Sequence, residues 1–382
     1  MAPLLSRPEV ISLAGGVPDP QTFPLPEIEE AVVGALRGSA SEALQYGRTR
    51  GSPRLVGLLG AMLSHHAIAA PHERLFVTAG SQQALDLLGR LLLDAGDTVI
   101  VETPTYVGAL AAFRAGGARL RALKSGGPDP DPEAVREAVG RAAAGGSRAK
   151  VLYLCPNFQN PSGTTLTLAA RQRLLRAAID LGLWVIEDDP YREIWFEQQP
   201  PPAMASLPGG ECVIYLGSFS KVLAPGLRLG FAVVPEALCT PLDRLKEASD
   251  LCSSTLSQAV AAELLAAGLI EKRMPAVREL YRRRRDALLV AMAKAFPPEA
   301  SWTHPGGGFF SWVRLPGLDA GDLLERALVD QVAFVAGAPF HAEGGGGDNF
   351  RLAFSKEPEE RIALGVRRLG ELMRGRAAGG PS

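Results

Sequence analysis

A lysine flanked by hydroxyls, with a guanidinium nearby, can hold an amine beside a phosphate. Gly217-Ser-Phe-Ser-Lys221, with Arg228 seven residues on, has that make-up. Ser218, Ser220 and Arg228 suit a phosphate, and Lys221 supplies the amine. Glu187-Asp188-Asp189-Pro190-Tyr191 crowds three acids, which repel one another unless a positive group such as a protonated pyridine nitrogen lies close. In Thr78-Ala-Gly80-Ser81-Gln82, a small residue precedes a helix start whose free N–H groups suit a phosphate, although a serine N-cap accounts for the pattern as well. Asn160-Pro161 fixes an extended turn that can aim the Asn160 amide into a cleft, and Tyr106 follows Pro104-Thr105 with a flat ring. Each feature alone has a plainer explanation: a surface lysine, a solvated acidic loop, an Asx-turn, a core aromatic. Together, each falls just after a predicted strand.

Those strands are the short apolar runs Leu75–Val77, Thr98–Val101, Val151–Leu154, Trp184–Ile186, Val213–Leu216 and Leu229–Val234. Helix-period stretches separate them: Gln82–Leu93, Val107–Arg114, Asp131–Ala144 and Leu168–Leu181. This alternation predicts an α/β fold with a mostly parallel sheet, in which ligands sit beyond the carboxyl ends of the strands. The C-terminal third predicts a smaller α+β unit. Its helices are Thr255–Leu269 and Met274–Ala295, a strand within Gly306–Leu315 pairs with one near Phe350–Phe354, and a helix over Glu359–Met373 closes it. We expect an N-terminal arm over residues 1–45, helical from Leu25 to Arg37 and packed on the small unit. A large unit over 46–255 and the small unit over 256–382 follow. Gly344–Gly347 reads as a flexible turn, and Ala377–Ser382 as a disordered tail.

With 40 basic against 41 acidic side chains, nothing draws the chain to nucleic acid or an anionic membrane. The run Arg282–Arg285 is expected on a solvated helix face. Cys155, Cys212, Cys239 and Cys252 show neither zinc nor redox spacing. Cys155 and Cys212, in apolar runs, are expected as buried free thiols, which fits a reducing cytosol. His65, His66 and His72 read as helix-end and loop residues rather than metal ligands. No apolar run is long enough to span a membrane, and no secretory pattern opens the chain.

The ordered phrases Ser12-Leu-Ala-Gly-Gly-Val-Pro18, Gln45-Tyr-Gly47, Thr78-Ala-Gly-Ser-Gln-Gln-Ala-Leu85, Pro104-Thr-Tyr106, Phe158-Gln-Asn-Pro-Ser-Gly163, Glu187-Asp-Asp-Pro-Tyr-Arg192, Tyr215-Leu-Gly-Ser-Phe-Ser-Lys221 and Phe350-Arg-Leu-Ala-Phe-Ser355 span most of the chain. In them the sequence resembles fold-type I aminotransferases that use pyridoxal 5'-phosphate. It is most similar to the 2-aminoadipate (LysN-like) and MocR-like branch. The resemblance implies that Lys221 binds the cofactor as a Schiff base and moves the substrate proton. It implies that Asp188 pairs with the ring nitrogen, that Tyr191 and Asn160 hydrogen-bond the ring hydroxyl, and that Tyr106 stacks on the ring. The N–H groups of Ser81 and Gln82, with Ser218, Ser220 and Arg228, would hold the phosphate. Tyr46 would reach it from the second subunit of a homodimer. Arg351 would grip the substrate α-carboxylate, with Asn160 and the backbone at Gly16. The implied substrates are an amino acid and a 2-oxo acid, in amino-acid metabolism such as lysine biosynthesis.

Two departures bear on substrate. Members of this branch carry a longer N-terminal arm that helps read the substrate side chain, and Met1-Ala-Pro-Leu-Leu-Ser-Arg-Pro8 resembles its tail. The loop after Tyr46 reads Gly47-Arg48-Thr49-Arg50-Gly51 where relatives often carry Ser-Pro-Thr-Glu-Gly, so Arg48 is a candidate reader of a distal carboxylate. Two alternatives stay open here. One is another fold-type I reaction, a β-lyase or decarboxylase. The other is an effector-binding module like that of MocR-type regulators.

Overall fold

The computed structural model describes residues 9–124, 127 and 129–375, with the backbone alone at Ser39. The expectations for Met1–Pro8 and Ala377–Ser382 lie outside these residues. The chain begins with β1 (Ile11–Ser12), α1 (Leu25–Ala43), α2 (Pro53–Ser64), β2 (Leu75–Thr78), α3 (Ser81–Leu92), β3 (Thr98–Val101), α4 (Val107–Ala115) and β4 (Arg119–Ala122). It continues with α5 (Pro132–Ala144), β5 (Ala149–Leu154), α6 (Leu168–Asp180), β6 (Trp184–Asp188), β7 (Val213–Ser218), β8 (Gly230–Val233), α7 (Glu236–Asp250), α8 (Thr255–Ala266) and α9 (Leu269–Ala295). The rest comprises β9 (Ser301–Trp302), β10 (Phe310–Arg314), α10 (Ala320–Val329), β11 (Val332–Ala333), β12 (Val335–Ala336), β13 (Asn349–Ala353) and α11 (Glu359–Gly375).

Seven strands form the central sheet in the order β2-β8-β7-β6-β5-β3-β4. All neighbours are parallel except β8, which runs antiparallel to β2 and β7. Alternation along each strand explains why both faces are dry. Val99, Val101, Val151 and Tyr153 pack with Leu85, Leu88 and Phe113 of α3 and α4. Ile100, Leu152, Leu154 and Val185 pack on the other side with Val135 and Leu174 of α5 and α6. Such doubly covered strands read as unbroken apolar runs, which is why they were visible in the sequence.

The edge strand β4 was not expected. Arg119 is exposed while Leu120 and Ala122 are buried, so its four residues read as a polar connector until β3 pairs with them. A second sheet, β12-β13-β10-β9, is antiparallel, with Trp312 opposite Arg351. The N-terminal segment is tied to this part of the molecule. Ile11 and Ser12 pair with Val332 and Ala333, and the Ser12 N–H donates to Glu357 Oε1 at 3.0 Å.

Three expectations change. The helix break expected after Leu269 lies at Gly268, whose left-handed φ of 61° ends one helix and starts the next, and Pro275 sits inside α9. The arginine run does not form one solvated face. Arg282 and Arg283 are partly or fully exposed, but Arg284 and Arg285 are buried. Arg284 bonds Asp19 and the Ser355 carbonyl, and Arg285 bonds Glu197 and the Pro305 carbonyl. The helical period turns half of the run toward the core, where carboxylates and carbonyls compensate it. Cys155 is buried and free as expected, whereas Cys212, in a short turn before β7, is half-exposed.

Candidate active site

The carboxyl ends of β3, β5, β6 and β7 converge on a cavity of about 370 Å³. Lining it are Gly16, Ser81, Gln82, Tyr106, Asn160, Asp188, Tyr191, Ser218, Ser220, Lys221, Arg228 and Arg351. Thus one cavity gathers every candidate residue except Tyr46 and Arg48. Those two lie on a surface segment anchored by Gly47 N–H to Cys252 Sγ at 3.3 Å and by Thr255 Oγ1 to the Gln45 carbonyl at 3.1 Å. Tyr46 is 78% exposed, and Arg48 borders a separate cleft with Arg50 and His72.

The three acids after Ile186 divide by strand geometry. Glu187 accepts the Met204 and Ala205 N–H groups at 2.8 and 2.9 Å. Asp189 accepts from Arg192 Nε at 2.6 Å, Asn157 Nδ2 at 2.7 Å and the Tyr215 hydroxyl at 3.1 Å. Asp188 Oδ2 accepts one bond, from the Tyr153 hydroxyl at 2.8 Å, and its Oδ1 is buried with no partner. Burial pushes the Asp188 carboxyl up to about 7; the Tyr153 bond opposes that and the Asp189 charge adds to it. The protein thus supplies hydrogen-bond donors to Glu187 and Asp189, while the Asp189 charge still raises the pKa of both neighbours, and Asp188 keeps one oxygen without a partner among the described residues.

Lys221 follows β7 and is largely buried. Its Nζ donates to the Gly16 carbonyl at 3.0 Å. Burial, then the charges of Arg351 and Arg228, lower its pKa to about 8. Arg351, on β13, is 8% exposed and has no carboxylate partner among the described residues. Its Nη1 donates to Asn160 Oδ1 at 2.7 Å and its Nη2 to the Ala14 carbonyl at 2.6 Å, while Nε is buried without a partner. The guanidinium lies 4.2 Å over the Phe310 ring, and burial lowers its pKa to about 10.

The start of α3 is bare. Ser52, Asp131 and Thr167 cap α2, α5 and α6 through their side chains, whereas α3 begins at Gly80 with no side-chain cap. Ser81 is the first helical residue, which removes the serine-cap explanation of this motif. Gly80 holds φ at +83°, and a Cβ there would meet Arg228 Nη2 at 3.1 Å. Arg228 itself adopts a left-handed φ of 49°, rare for a side chain of that size, which turns it back to donate to the Ala79 carbonyl at 3.3 Å. Tyr106 closes this side, its hydroxyl 3.3 Å from Gln82 Oε1.

The cavity thus holds Lys221, Arg228 and Arg351 against the single acid Asp188. That set fits pyridoxal phosphate and an amino acid. An N–H⁺ suits the unpartnered Asp188 oxygen, a phosphate suits Arg228 and the uncapped helix, and a carboxylate suits Arg351. Tyr153, Cys155 and Phe310 also line the cavity and were not singled out from the sequence. The alternation Tyr153-Leu154-Cys155 points the first and third toward one face and was a usable signal.

The chain belongs to the aminotransferase class I and II family, whose model matches residues 8–369. It is an aminotransferase. It is 44% identical over 377 residues to the 2-aminoadipate transaminase of Thermus thermophilus, covering 97% of this chain and 92% of that protein. Among solved structures, the multiple substrate aminotransferase of Thermococcus profundus matches with a TM-score of 0.93 at 36% identity, covering 99% of this chain and 94% of that one. The α-aminoadipate aminotransferase LysN of Thermus thermophilus, complexed with N-(5'-phosphopyridoxyl)-L-leucine, matches with a TM-score of 0.89 at 42% identity, covering 99% and 95%.

Proposed function

We propose that this aminotransferase uses pyridoxal 5'-phosphate to move the amino group of an L-amino acid to 2-oxoglutarate in two alternating half-reactions, with 2-aminoadipate as the lead donor. The carrying observation is the cavity's unbalanced charge: among the described residues it holds a largely buried amine, a carboxylate oxygen without a hydrogen-bond partner and a buried guanidinium without a carboxylate partner. The bound cofactor supplies an aldehyde that takes up the amino group and an electron-poor ring that draws electron density from the substrate Cα.

The chain's own groups do the rest. Lys221 Nζ takes and returns the proton at Cα, a role that needs a neutral amine and so profits from its lowered pKa. Asp188 Oδ1 accepts the ring N–H⁺, and the charge of that pair keeps the ring electron-poor. Tyr191 and the Asn160 amide hold the ring hydroxyl, and Tyr106 covers one ring face. Ser218, Ser220, Arg228 and the N–H groups of Ser81 and Gln82 hold the phosphate. Arg351 fixes the substrate α-carboxylate with Asn160, beside the Gly16 backbone. Holding that carboxylate on an arginine favours reactions that retain it, which sets transamination above decarboxylation.

Tyr46 and Arg48 complete the reading through a second copy of the chain. An exposed tyrosine beside exposed Leu44, at 68%, and Leu251, at 54%, supports burial of this face in a homodimer, with Tyr46 reaching the partner's phosphate. Residues 46–255 serve as the cofactor-binding unit, 256–382 as the small unit and 1–45 as the arm packed on it.

The direct test is Lys221→Ala. The native protein loaded with cofactor should absorb in the visible and convert amino donors, and the variant should do neither. Covalently held cofactor in the variant would overturn the reading. A donor panel with 2-oxoglutarate should rank 2-aminoadipate first, and a clear preference for another donor would replace it as the lead.

A further inference from the structure

Asp188 is the one acid of the Glu187–Asp189 trio whose charge the protein leaves open, and the way it is held is specific. Its Oδ2 accepts the Tyr153 hydroxyl at 2.8 Å, and no other side-chain donor reaches the carboxylate among the described residues. Tyr153 is 0% exposed and Asp188 3%. A carboxylate has two oxygens and a free torsion about its last bond, so a single strong bond on one oxygen decides where the other points. Here the remaining oxygen, Oδ1, is buried and unpaired.

Tyr153 is itself immobilised. It lies on β5, adjacent to β6 and opposite Ile186. Its ring meets the edge of Phe113 at 5.7 Å. Two residues on, the Cys155 N–H donates to the buried Glu102 carboxylate at 2.7 Å, which clamps the end of the strand. The titratable groups facing Asp188 are Tyr153 on β5 and Cys155 just after it, Asp189 and Tyr191 at its own strand end, and Tyr106 ahead of α4. Burial pushes the Tyr153 hydroxyl well above its ordinary pKa, so it remains a proton donor.

We propose that Tyr153 is a positioning residue for transamination: its hydroxyl, held on Asp188 Oδ2, turns Oδ1 to the cofactor ring nitrogen and favours the charged carboxylate. The proposal rests on Asp188 being the partner of that nitrogen. Of the influences on the Asp188 carboxyl, burial and the Asp189 charge both favour protonation, and the Tyr153 bond opposes them. Removing one hydroxyl therefore lets both remaining effects act in the same direction. Asp188 then protonates at a higher pH and loses its attraction for a ring N–H⁺.

The experiment compares the native protein with Tyr153→Phe, Asp188→Asn and the double variant, each full length. Pyridoxal 5'-phosphate is the probe, and its affinity for the apo-protein is measured across the range in which Asp188 titrates. Tyr153→Phe keeps the ring and its packing. It should weaken binding about tenfold near neutrality and move the acid limb of the affinity profile up by about one unit. In the Asp188→Asn background the same substitution should change affinity by less than about twofold, because the hydroxyl acts through the carboxylate. Equal losses in both backgrounds would reveal a general packing role and overturn the proposal, as would an unmoved acid limb. If Asp188→Asn weakens binding while Tyr153→Phe does not, the Tyr153 assignment alone falls. If the native protein does not bind the probe, the assignment falls together with the cofactor reading.

Discussion

Lys221 and Gly16, 205 positions apart in sequence, meet where the lysine Nζ donates to the glycine carbonyl at 3.0 Å. The bond joins the loop after β7 to the N-terminal segment, which is itself paired to β11. It also holds the amine in a largely buried space beside the guanidiniums of Arg351 and Arg228. The lysine pKa of about 8 follows from that burial first, and from Arg351 and Arg228 second.

A protonated amine is not a nucleophile, so loading of apo-protein with pyridoxal phosphate should quicken as pH rises. The rate of appearance of visible absorbance should reach half its maximum near pH 8, well below the ordinary lysine value of 10.5. A midpoint above pH 10 would show that the surroundings do not lower the pKa. Arg351→Ala removes one of the lowering charges and should move the midpoint up.

Arg351 is buried without a carboxylate partner among the described residues, so its loss should fall on substrate rather than cofactor. Arg351→Ala should lower kcat/KM for amino donors about 100- to 1000-fold, the scale of losing a two-pronged charge-assisted contact. Visible absorbance of the loaded protein should persist. Loss of cofactor in parallel with activity would move Arg351 to the cofactor side of the site.

Arg48 offers a test of acceptor choice. Arg48→Ala should raise KM for 2-oxoglutarate several-fold, by removal of an exposed charge contact, and leave that for a monocarboxylate 2-oxo acid unchanged. Steady-state kinetics with both acceptors decides it, and equal KM values for 2-oxoglutarate before and after remove Arg48 from the site.

The ion pair between Arg284 and Asp19 is buried on both sides, with side chains 4% and 6% exposed. Asp19→Ala strands a buried guanidinium and should destabilise the protein by about 3 kcal/mol. Replacing both partners by apolar residues of similar size should cost less than the single change. Denaturant unfolding of the three variants checks the ordering.

Gly163 follows Asn160-Pro161-Ser162 with φ at +69°, and a Cβ there would lie 2.3 Å from the Phe310 carbonyl oxygen. Because the obstacle is backbone, it cannot swing aside. Gly163→Ala should cost about 2 kcal/mol of stability and disturb the loop that carries Asn160. A thermal midpoint equal to that of the native protein would show that β10 yields to the extra methyl group.

The sequence by itself determined the central fold, because strands covered on both faces must be apolar along their length and helices must repeat at their own period. It also singled out Lys221, Asn160 and Arg228 as residues that follow predicted strands, whereas Asp188 and Arg351, the latter inside β13, were marked by the family resemblance. Residue type alone did not distinguish Asp188 from its neighbours Glu187 and Asp189, which only the resemblance did; the fold supplies donors to those two neighbours and leaves one Asp188 oxygen without a partner among the described residues. The charge of the run Arg282–Arg285 pointed to a solvated helix face, and the turn of α9 decided that Arg284 and Arg285 face inward. Tyr153 read as one apolar strand residue among others. Its hydroxyl acquires meaning only when parallel pairing of β5 with β6 sets it 2.8 Å from Asp188, a distance that no local pattern encodes.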